Sequence, residues 1–255
     1  MIQISGTILD PATLLNKYPP TKVNGRIIEI LHASPKTYQY DSLKYFEFEL
    51  ALRISIVNAS NDLAKSKFAF KVFEKARCNT QYWTLTGAGG FLLKRGVSSY
   101  DAIKDIYINS SKYGTECATA VIIVYLKALL DIFPKKLFQK LFPEIYLYSW
   151  LHLDSDLGLY QSESPTVYLP GDCRYFNNPD HDPNTPQWQG ENAIDLGFDH
   201  FYGHGIGIKT EKEIINELNS LRKQNATSAA YLMKFATRMN SKNLAKNYFD
   251  YSSRK

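Results

Sequence analysis

The chain has 255 residues, of which 44% are hydrophobic and 22% charged, and its formal net charge is +5. These values are typical of a globular protein with a full core, and we expect one domain over residues 1–255. The basic residues are scattered and do not alternate with aromatic ones, so we expect no nucleic-acid groove. The longest apolar run, Ala118 to Tyr125, is shorter than a membrane span, and no signal-peptide pattern is present, so we expect no membrane association.

The three cysteines, Cys78, Cys117 and Cys173, are widely spaced and form no CxxC pair. An odd number at such spacing argues against a disulfide framework and against a structural zinc site. The acidic loop 180–191 has the spacing of a calcium loop, but Thr185 stands where that loop requires glycine. We therefore expect no metal and no cofactor.

The first half of the chain is predicted to be mainly helical. Residues 1–40 contain four prolines and are expected to be irregular, with one short strand at the start. Apolar residues recur every three or four positions from Asp41 to Lys65, which indicates an amphipathic helix with Asp41 or Ser42 as its cap. The other predicted elements are a short helix over 68–76, a glycine-turn hairpin of 82–85 with 91–94, a helix from Ser98 or Ser99 to Ile108, and the Cys117 helix, which Pro134 ends.

The second half of the chain is predicted to contain the sheet. A short helix over 136–141 leads to an aromatic stretch, after which the pattern changes to short strands. Thr210 and Glu213 form a capping box, which predicts a helix to about Arg222. Helices, then strands, then helices indicate an α+β fold. The predicted strands are 166–169, 173–176, 192–196 and 201–208, followed after the capping-box helix by a helix over 228–239 and a frayed one near the end.

The segment Tyr113-Gly114-Thr115-Glu116 is turn-prone and leads Cys117 into the first turn of an almost wholly apolar helix. The free N–H groups and partial positive charge of a helix N-terminus lower the pKa of a thiol, and the thiolate is the nucleophile. The same N–H groups are suited to bind an oxyanion. The alternative is a small core residue, because free cysteine is among the most buried residue types.

Five histidines are candidate partners for the thiol, and His204 has the most informative surroundings. Gly203 and Gly205 flank it, and glycines in a strand indicate that another group approaches the backbone closely. The alternative is a histidine at a strand end beside glycines that only form a bend. The five candidates are His32, His152, His181, His200 and His204.

A hairpin of strands 192–196 and 201–208, turning at 197–198, would place Glu191 directly opposite His204. Opposed residues have Cβ atoms about 5 Å apart, so the carboxylate would hold the imidazole. A one-residue change in the loop would place the two side chains on opposite faces of the sheet. Together with Cys117, this pair would supply the nucleophile, base and orienting group of an acyl-transfer site.

Four motifs occur in the order YGTECATA, PGDCRYFNNPDHDP, QWQGEN and HGIGI. They resemble the spore-coat transglutaminases of Bacillus-type bacteria, which are protein-glutamine γ-glutamyltransferases, and the resemblance extends over nearly the whole chain. It implies that the nucleophile of the family falls on Cys117, its acidic partner on Glu191 and its histidine on His204. The glutamate that precedes the nucleophile falls on Glu116.

The resemblance also implies a papain-like fold, close to that of the NlpC/P60 cysteine peptidases. Such a fold has a central antiparallel sheet packed on the helix that carries the nucleophile, with further helices at its flanks. The turn 170–172 and the strand with His204 are similar to those of the peptidases. In the peptidases the partner of the histidine usually follows it, whereas Glu191 precedes His204, and this difference favours the transglutaminase.

The implied reaction is a calcium-independent transfer in two steps. Cys117 attacks the carboxamide of a protein-bound glutamine, which releases ammonia and leaves a thioester. A lysine amine then attacks the thioester and forms an ε-(γ-glutamyl)lysine crosslink. Either Glu191 or His204 would take the proton of the amine. Glu116 is either a second catalytic carboxylate or an acid that favours the first turn of the helix.

An acyl-enzyme that prefers an amine to water must exclude water from its thioester. Phe70, Trp150 and Trp188 are candidate walls of a narrow substrate passage, and Trp188 is favoured because it lies three residues before Glu191. The alternative is that these side chains are ordinary core or sheet-edge aromatics.

Three functions are consistent with the sequence. The first is a transglutaminase that crosslinks spore coat proteins through their glutamines and lysines, made in the mother-cell cytoplasm and located in the spore coat. The second is a cysteine amidase or peptidase of the same general fold that acts on cell-wall peptides. The third is a non-catalytic coat component that retains the fold for assembly.

Overall fold

The computed structural model describes residues 1–151 and 153–253, so His152, one of the five candidate histidines, lies outside the described residues. Its helices and strands alternate along the chain, with most helices in the first half and the largest sheet in the second. The helices α1 to α8 are Pro11–Lys17, Val23–Ala33, Leu43–Lys65, Ser99–Ile108, Cys117–Ile132, Lys135–Leu141, Glu211–Ser220 and Ser241–Ser252.

The strands form one large sheet and three small ones. The large sheet has the order β13-β12-β11-β10-β15-β9, with β14 also paired to β10, and its pairs are antiparallel. The strands β1 to β15 are Ile2–Ile4, Thr7–Ile8, Tyr38–Tyr40, Ala69–Phe70, Trp83–Leu85, Phe91–Leu93, Gly114–Thr115, Tyr146–Leu147, Leu159–Ser162, Cys173–Asn177, Gly190–Gly197, His200–Gly203, Gly207–Thr210, Tyr231–Leu232 and Ala236–Met239.

Side chains alternate between the two faces of the large sheet and build a core on each. Cys173, Ile194 and Tyr202 belong to the core that contains α5, whereas Phe176 and Ala193 pack on the opposite face with α7. Thirteen of the sixteen residues of α5 are buried. Because each buried Val, Leu or Ile contributes about 1.5–3 kcal/mol, the packing holds α5, and with it Cys117, in a fixed position.

Elements with strong local signals are confirmed. Ser42 is the N-cap residue of α3, Ser98 caps α4 through its side chain, and Thr210 and Glu213 form the capping box of α7. The hairpin of β5 and β6 and the ends of α5 and α6 also agree with the predictions. The α+β class is therefore confirmed.

The N-terminal segment is more regular than expected. The prediction that residues 1–40 are irregular is wrong, because they form α1, α2 and three strands. Asp10 caps α1 through its side chain, and Pro11 occupies the first turn, where the missing N–H costs nothing. The other prolines, at 19, 20 and 35, lie between elements. These prolines thus separate helices and strands and do not prevent them.

Two predicted helices and one predicted strand are wrong. Residues 68–76 contain β4 and a 3₁₀ turn, and residues 228–239 contain β14 and β15. In both segments pairing with distant strands overrides the local helical pattern: β4 pairs with β7, and β15 lies between β10 and β9. Residues 166–169 form no strand, since the Leu169 N–H donates to the Asp172 side chain in a tight turn.

The predicted strand 201–208 is interrupted. Gly203 ends β12 and Gly207 starts β13, so His204 lies in the turn between them and not in a strand. In the part of the chain that the structure describes, no helix is both long and apolar enough to cross a membrane.

Candidate active site

Cys117 is the first residue of α5 and faces an open cavity of about 940 Å³. The parallel pairing of β7 with β4 fixes the backbone just before it. Glu116 and Asn192 line the cavity together with Cys117, and the Asn192 Nδ2 atom lies 3.4 Å from the Cys117 Sγ atom. The thiol therefore borders the cavity and contacts a side chain of the large sheet.

Glu116 caps α5 and uses both carboxylate oxygens to do so. Its Oε2 accepts from the Ala118 N–H at 2.6 Å, and its Oε1 accepts from the Thr119 N–H at 2.8 Å and from the Thr119 hydroxyl. The prediction that Glu116 stabilises the first turn is confirmed. The expectation of several free N–H groups for an oxyanion is wrong. Among the first-turn donors, the Ala118 and Thr119 N–H groups are bonded to Glu116, and the Cys117 N–H is left.

The pKa of the Cys117 thiol is raised well above its ordinary value. Burial is the main cause, and the neighbouring carboxyls of Glu191 and Glu116 raise the pKa further, while hydrogen bonds from Asn192 lower it. The expectation of a thiol whose pKa the helix N-terminus lowers is therefore wrong for the free protein. Burial is the main physical reason, and the Glu116 carboxylate at the positive end of the helix adds to it. A thiol with a raised pKa needs a base to become a nucleophile.

Strands β11 and β12 pair one residue away from the predicted register. Ile194 lies opposite Tyr202, and a bulge follows Asp195. This register points Gly205, and not His204, towards the position opposite Glu191, and the paired part of β12 ends before either residue, at Gly203. The predicted pair of carboxylate and imidazole is therefore wrong.

Glu191 is fully buried beneath the turn that carries His204. Its Oε1 accepts from the Gly205 N–H at 3.2 Å, and the His204 N–H also donates to this carboxylate. A Cβ atom on Gly203 would lie 2.8 Å from the Glu191 Cγ, and one on Gly205 would lie 3.2 Å from its Oε2. The close approach predicted from the two glycines is confirmed, and Glu191 is the group that approaches.

The second oxygen of Glu191 distinguishes it from an ordinary buried acid. Within residues 1–151 and 153–253, Oε2 has no hydrogen-bond partner. Burial raises the pKa of Glu191 to about 8, with a further contribution from Glu116. A carboxyl with a free oxygen and a pKa near neutrality is suited to accept and return protons.

His204 uses both ring nitrogens for structural contacts. Its Nδ1 is 2.8 Å from the Tyr202 hydroxyl and its Nε2 is 3.2 Å from the Ala69 carbonyl oxygen, so Nε2 donates and Nδ1 accepts. The ring packs against Phe68 with 4.8 Å between ring centroids. Burial lowers the pKa of His204 to about 4. The imidazole is neutral and ties the β12–β13 turn to β4.

Two of the three candidate wall residues line the cavity. Phe70 and Trp150 face it directly, whereas Trp188 stacks on Phe70 with 5.1 Å between ring centroids. Trp188 thus supports the wall from behind. Whether these rings contact substrate stays a prediction.

Asn192 is the functional candidate that sequence reasoning missed. Its side chain points to the α5 face of the sheet, as that of Ile194 does. The signal that identifies it is the strand register, because the residue after Glu191 must face the opposite side of the sheet.

The polar loop 180–191 has structural contacts of its own. Asp180 accepts hydrogen bonds from the Thr227 and Ser228 N–H groups and pairs with Lys223. The described part of the chain contains no group of three or more His, Cys, Asp or Glu side chains that is arranged to hold a metal ion.

A cysteine at the start of a buried helix, a buried carboxyl whose charge acts on that thiol and an open cavity define a cysteine enzyme suited to acyl transfer. The family to which it belongs follows from its similarity to known proteins. Residues 1–248 match the family model described as protein-glutamine gamma-glutamyltransferase.

Two curated relatives carry the same name. The Bacillus mycoides (strain KBAB4) protein is 42% identical over 243 residues, which covers 95% of this chain and 87% of the relative. The Halalkalibacterium halodurans protein is 41% identical over 239 residues, which covers 94% of this chain and 82% of the relative.

A solved structure agrees in fold. The transglutaminase from Geobacillus stearothermophilus, without its C-terminal extension, superimposes with a TM-score of 0.77 and 48% sequence identity, over 81% of this chain and 98% of that one. The chain belongs to the protein-glutamine gamma-glutamyltransferase family. The predicted resemblance is confirmed, and the transglutaminase is supported over the cell-wall amidase.

Proposed function

We propose that this transglutaminase uses the Cys117 thiol to transfer the acyl group of a protein-bound glutamine to a lysine amine. The observation that carries the proposal is the position of Cys117, at the N-terminus of a buried helix and open to a cavity. That cavity also has an aromatic wall that includes Phe70 and Trp150, which suits a site that must keep water from a thioester.

Glu191 is the base in this proposal. The thiol proton passes to the Glu191 carboxyl, whose charge acts on the sulfur strongly enough to raise the pKa of the thiol. The sulfur attacks the carboxamide carbon, and the proton leaves with ammonia. In the second step the lysine amine gives a proton to Glu191 as it attacks the thioester, and the proton returns to the departing sulfur. The pKa of Glu191, raised to about 8 by burial, matches a group that accepts and returns protons near neutral pH.

Glu116 and His204 hold this arrangement in place. Glu116 fixes the first turn of α5 through its contacts with Ala118 and Thr119. His204 fixes the turn that covers Glu191, because its ring bonds reach Tyr202 within the hairpin and Ala69 in β4 outside it. We assign both residues a positioning role and leave proton transfer to Glu191.

The finer fold label is also a proposal. A helix that carries the nucleophile and packs on an antiparallel sheet supports a papain-like arrangement related to the NlpC/P60 enzymes. Spore coat proteins with reactive glutamines and lysines are the proposed partners, and the spore coat is the proposed location. Curated relatives from Bacillus species support this proposal. A fluorescent fusion that stays uniform in the mother-cell cytoplasm throughout sporulation would contradict it.

The test offers a fluorescent primary amine together with a glutamine-containing acceptor protein. We expect covalent labelling of the acceptor by the native enzyme, and loss of labelling in Cys117→Ala. Cys78→Ala is the matched control, because Cys78 is a free cysteine outside the cavity lining. Release of ammonia without incorporation of the amine would indicate an amidase. No turnover of either kind would indicate a non-catalytic protein.

A further inference from the structure

The oxyanion formed during acyl transfer needs more hydrogen-bond donors than α5 supplies. Oxyanion sites usually combine two or more donors placed about 3 Å from the developing negative charge. The Glu116 carboxylate takes the N–H groups of Ala118 and Thr119, and the Ala120 N–H donates to the Glu116 carbonyl oxygen. Only the Cys117 N–H remains from the first turn, so a second donor has to come from another element.

Asn192 is placed to be that donor. Its Nδ2 lies 3.4 Å from the Cys117 Sγ, and its side chain lines the same cavity. Its backbone lies opposite Tyr175 in the regular ladder between β10 and β11. A donor on a regular strand is held more precisely than one on a loop.

Besides the Asn192 backbone N–H, which also donates to the Cys117 sulfur, the cavity offers few donors near that atom. The Ser149 N–H is already bonded to the Thr119 hydroxyl at 2.8 Å. Gln187 and Gln189 lie along the cavity lining, in and just after the 3₁₀ turn before β11. Of all the side-chain amides in the described ranges, only that of Asn192 forms a hydrogen bond with the Cys117 sulfur.

We propose that Asn192 is a catalytic residue whose side-chain amide, together with the Cys117 N–H, binds the oxyanion of the acyl-transfer intermediate. This inference rests on the proposed function. As the S–C bond forms, the π pair of the carbonyl moves to oxygen and the amide N–H groups donate to it. When the carbonyl forms again, the C–N bond breaks and ammonia leaves with the thiol proton, so that a thioester remains.

The resting contact with sulfur fits this role. An oxygen on the carbon bonded to Sγ lies within about 3 Å of that sulfur, so a donor that already reaches Sγ reaches the oxygen by rotation of its side chain. In the free protein the Asn192 backbone N–H and the same side-chain amide partly offset the two carboxyls that raise the pKa of the thiol. Asn192 thus serves the sulfur before the reaction and the oxygen during it.

The test separates reactions with and without an oxyanion. Acylation is measured as the burst of nitrophenol from a p-nitrophenyl ester, and alkylation is measured with iodoacetamide, which reacts with the thiolate without forming an oxyanion. For Asn192→Ala we expect acylation to fall by about 10²–10³-fold and alkylation by less than about tenfold. Asn192→Asp, which keeps the shape but removes the donor, is expected to lose at least as much acylation. Asn177→Ala is the matched control, since that amide lies on β10 and contacts the Tyr231 hydroxyl.

Two results would overturn the inference. If acylation and alkylation fall by the same factor in both Asn192 variants, the amide acts on the thiolate alone. If neither rate changes, it has no part in the reaction. Alkylation also reports whether the site is folded in each variant. If the native enzyme is acylated by the ester but never incorporates an amine into a glutamine-containing protein, the proposed function fails while the test of Asn192 still stands.

Discussion

Two carboxyl groups in or next to the large sheet are equally buried, but their oxygens are hydrogen-bonded to different extents. Asp172, just before β10, is 0% exposed and has both oxygens fully bonded. Its Oδ1 accepts from Arg53 and from Arg238, each at 2.9 Å, and its Oδ2 accepts from Arg238 at 2.6 Å and from the Leu169 N–H at 2.9 Å. This carboxylate is a structural junction between α3, β15 and the turn before β10.

Glu191, in the neighbouring strand β11, is also 0% exposed but is only half bonded. Backbone N–H groups of the His204 turn hold it, its Oε2 has no partner among the described residues, and no cation neutralises it there. A buried charge without a counter-charge is costly, which is why the pKa of Glu191 is raised. The comparison indicates that Asp172 stabilises the fold, whereas the position of Glu191, the proposed base, lowers stability.

The largest effect is expected from Glu191→Gln. Removing a general base lowers turnover by about 10²–10⁴-fold, and we expect amine incorporation to fall within that range. The melting temperature should stay the same or rise, because the buried titratable group is gone. Activity and thermal unfolding are measured on the same preparation. Full activity in this variant would remove Glu191 from the mechanism.

Asp172→Ala should show the opposite pattern. It leaves the guanidinium groups of Arg53 and Arg238 without their shared partner, and breaking a buried ion pair costs about 3–5 kcal/mol of unfolding free energy. Urea unfolding measures this loss. Turnover per folded molecule should be nearly unchanged, and a stable but inactive variant would contradict the division of roles.

The pH dependence of stability sharpens the comparison further. The pKa of Glu191 is about 8 in the folded chain and near 4.5 when unfolded, so between these values the folded state holds one more proton. Stability must then fall as pH rises through this window, by a few kcal/mol, which is of the order of 1.4 kcal/mol per unit of pKa. We therefore compare the unfolding free energy of the native chain with that of Glu191→Gln. The difference, native minus variant, should decrease from about pH 5 to about pH 9, which spans the two pKa values. A flat or rising difference would show that Glu191 is ionised in the fold.

The smallest effect is expected from His204→Gln. The two ring nitrogens of His204 are hydrogen-bonded to Tyr202 and Ala69, and burial lowers the pKa of the ring to about 4. Its replacement therefore removes two structural hydrogen bonds but not the base. Two neutral hydrogen bonds are worth about 1–3 kcal/mol together, and we expect turnover to fall less than about tenfold. A loss comparable to that of Glu191→Gln, with the fold intact, would make the imidazole the base.

The parts of the fold that were predicted correctly depend on local signals. Ser98 and the Thr210–Glu213 pair mark helix starts by bonding backbone groups a few residues away. The strands β4, β14 and β15 depend on partners distant in the chain, so their local pattern, which is helical, gave the wrong element. Pairing across such distances is not visible in periodicity.

The residues of the candidate site were predicted except for Asn192, but their geometry was not. The position of Cys117 follows from the helix pattern, and the two glycines beside His204 indicate a close approach. The turn lies at Phe198–Asp199, one position later than predicted, and together with the bulge after Asp195 this shifts the register of the hairpin by one residue. Glu191 therefore meets the glycines and not the imidazole. Which donors Glu116 takes from the helix could not be foreseen either, because it depends on the conformation of its side chain.

The most direct test of the account is the intact mass of the enzyme during turnover. The native chain is incubated with a glutamine peptide, the reaction is quenched in acid, and the intact mass of the enzyme is measured by mass spectrometry. We expect a species heavier by the peptide minus ammonia, which disappears when a lysine analogue is added and never forms in Cys117→Ala. An adduct of the same mass in Cys117→Ala, or crosslinking by that variant, would contradict the assignment of Cys117 as the nucleophile.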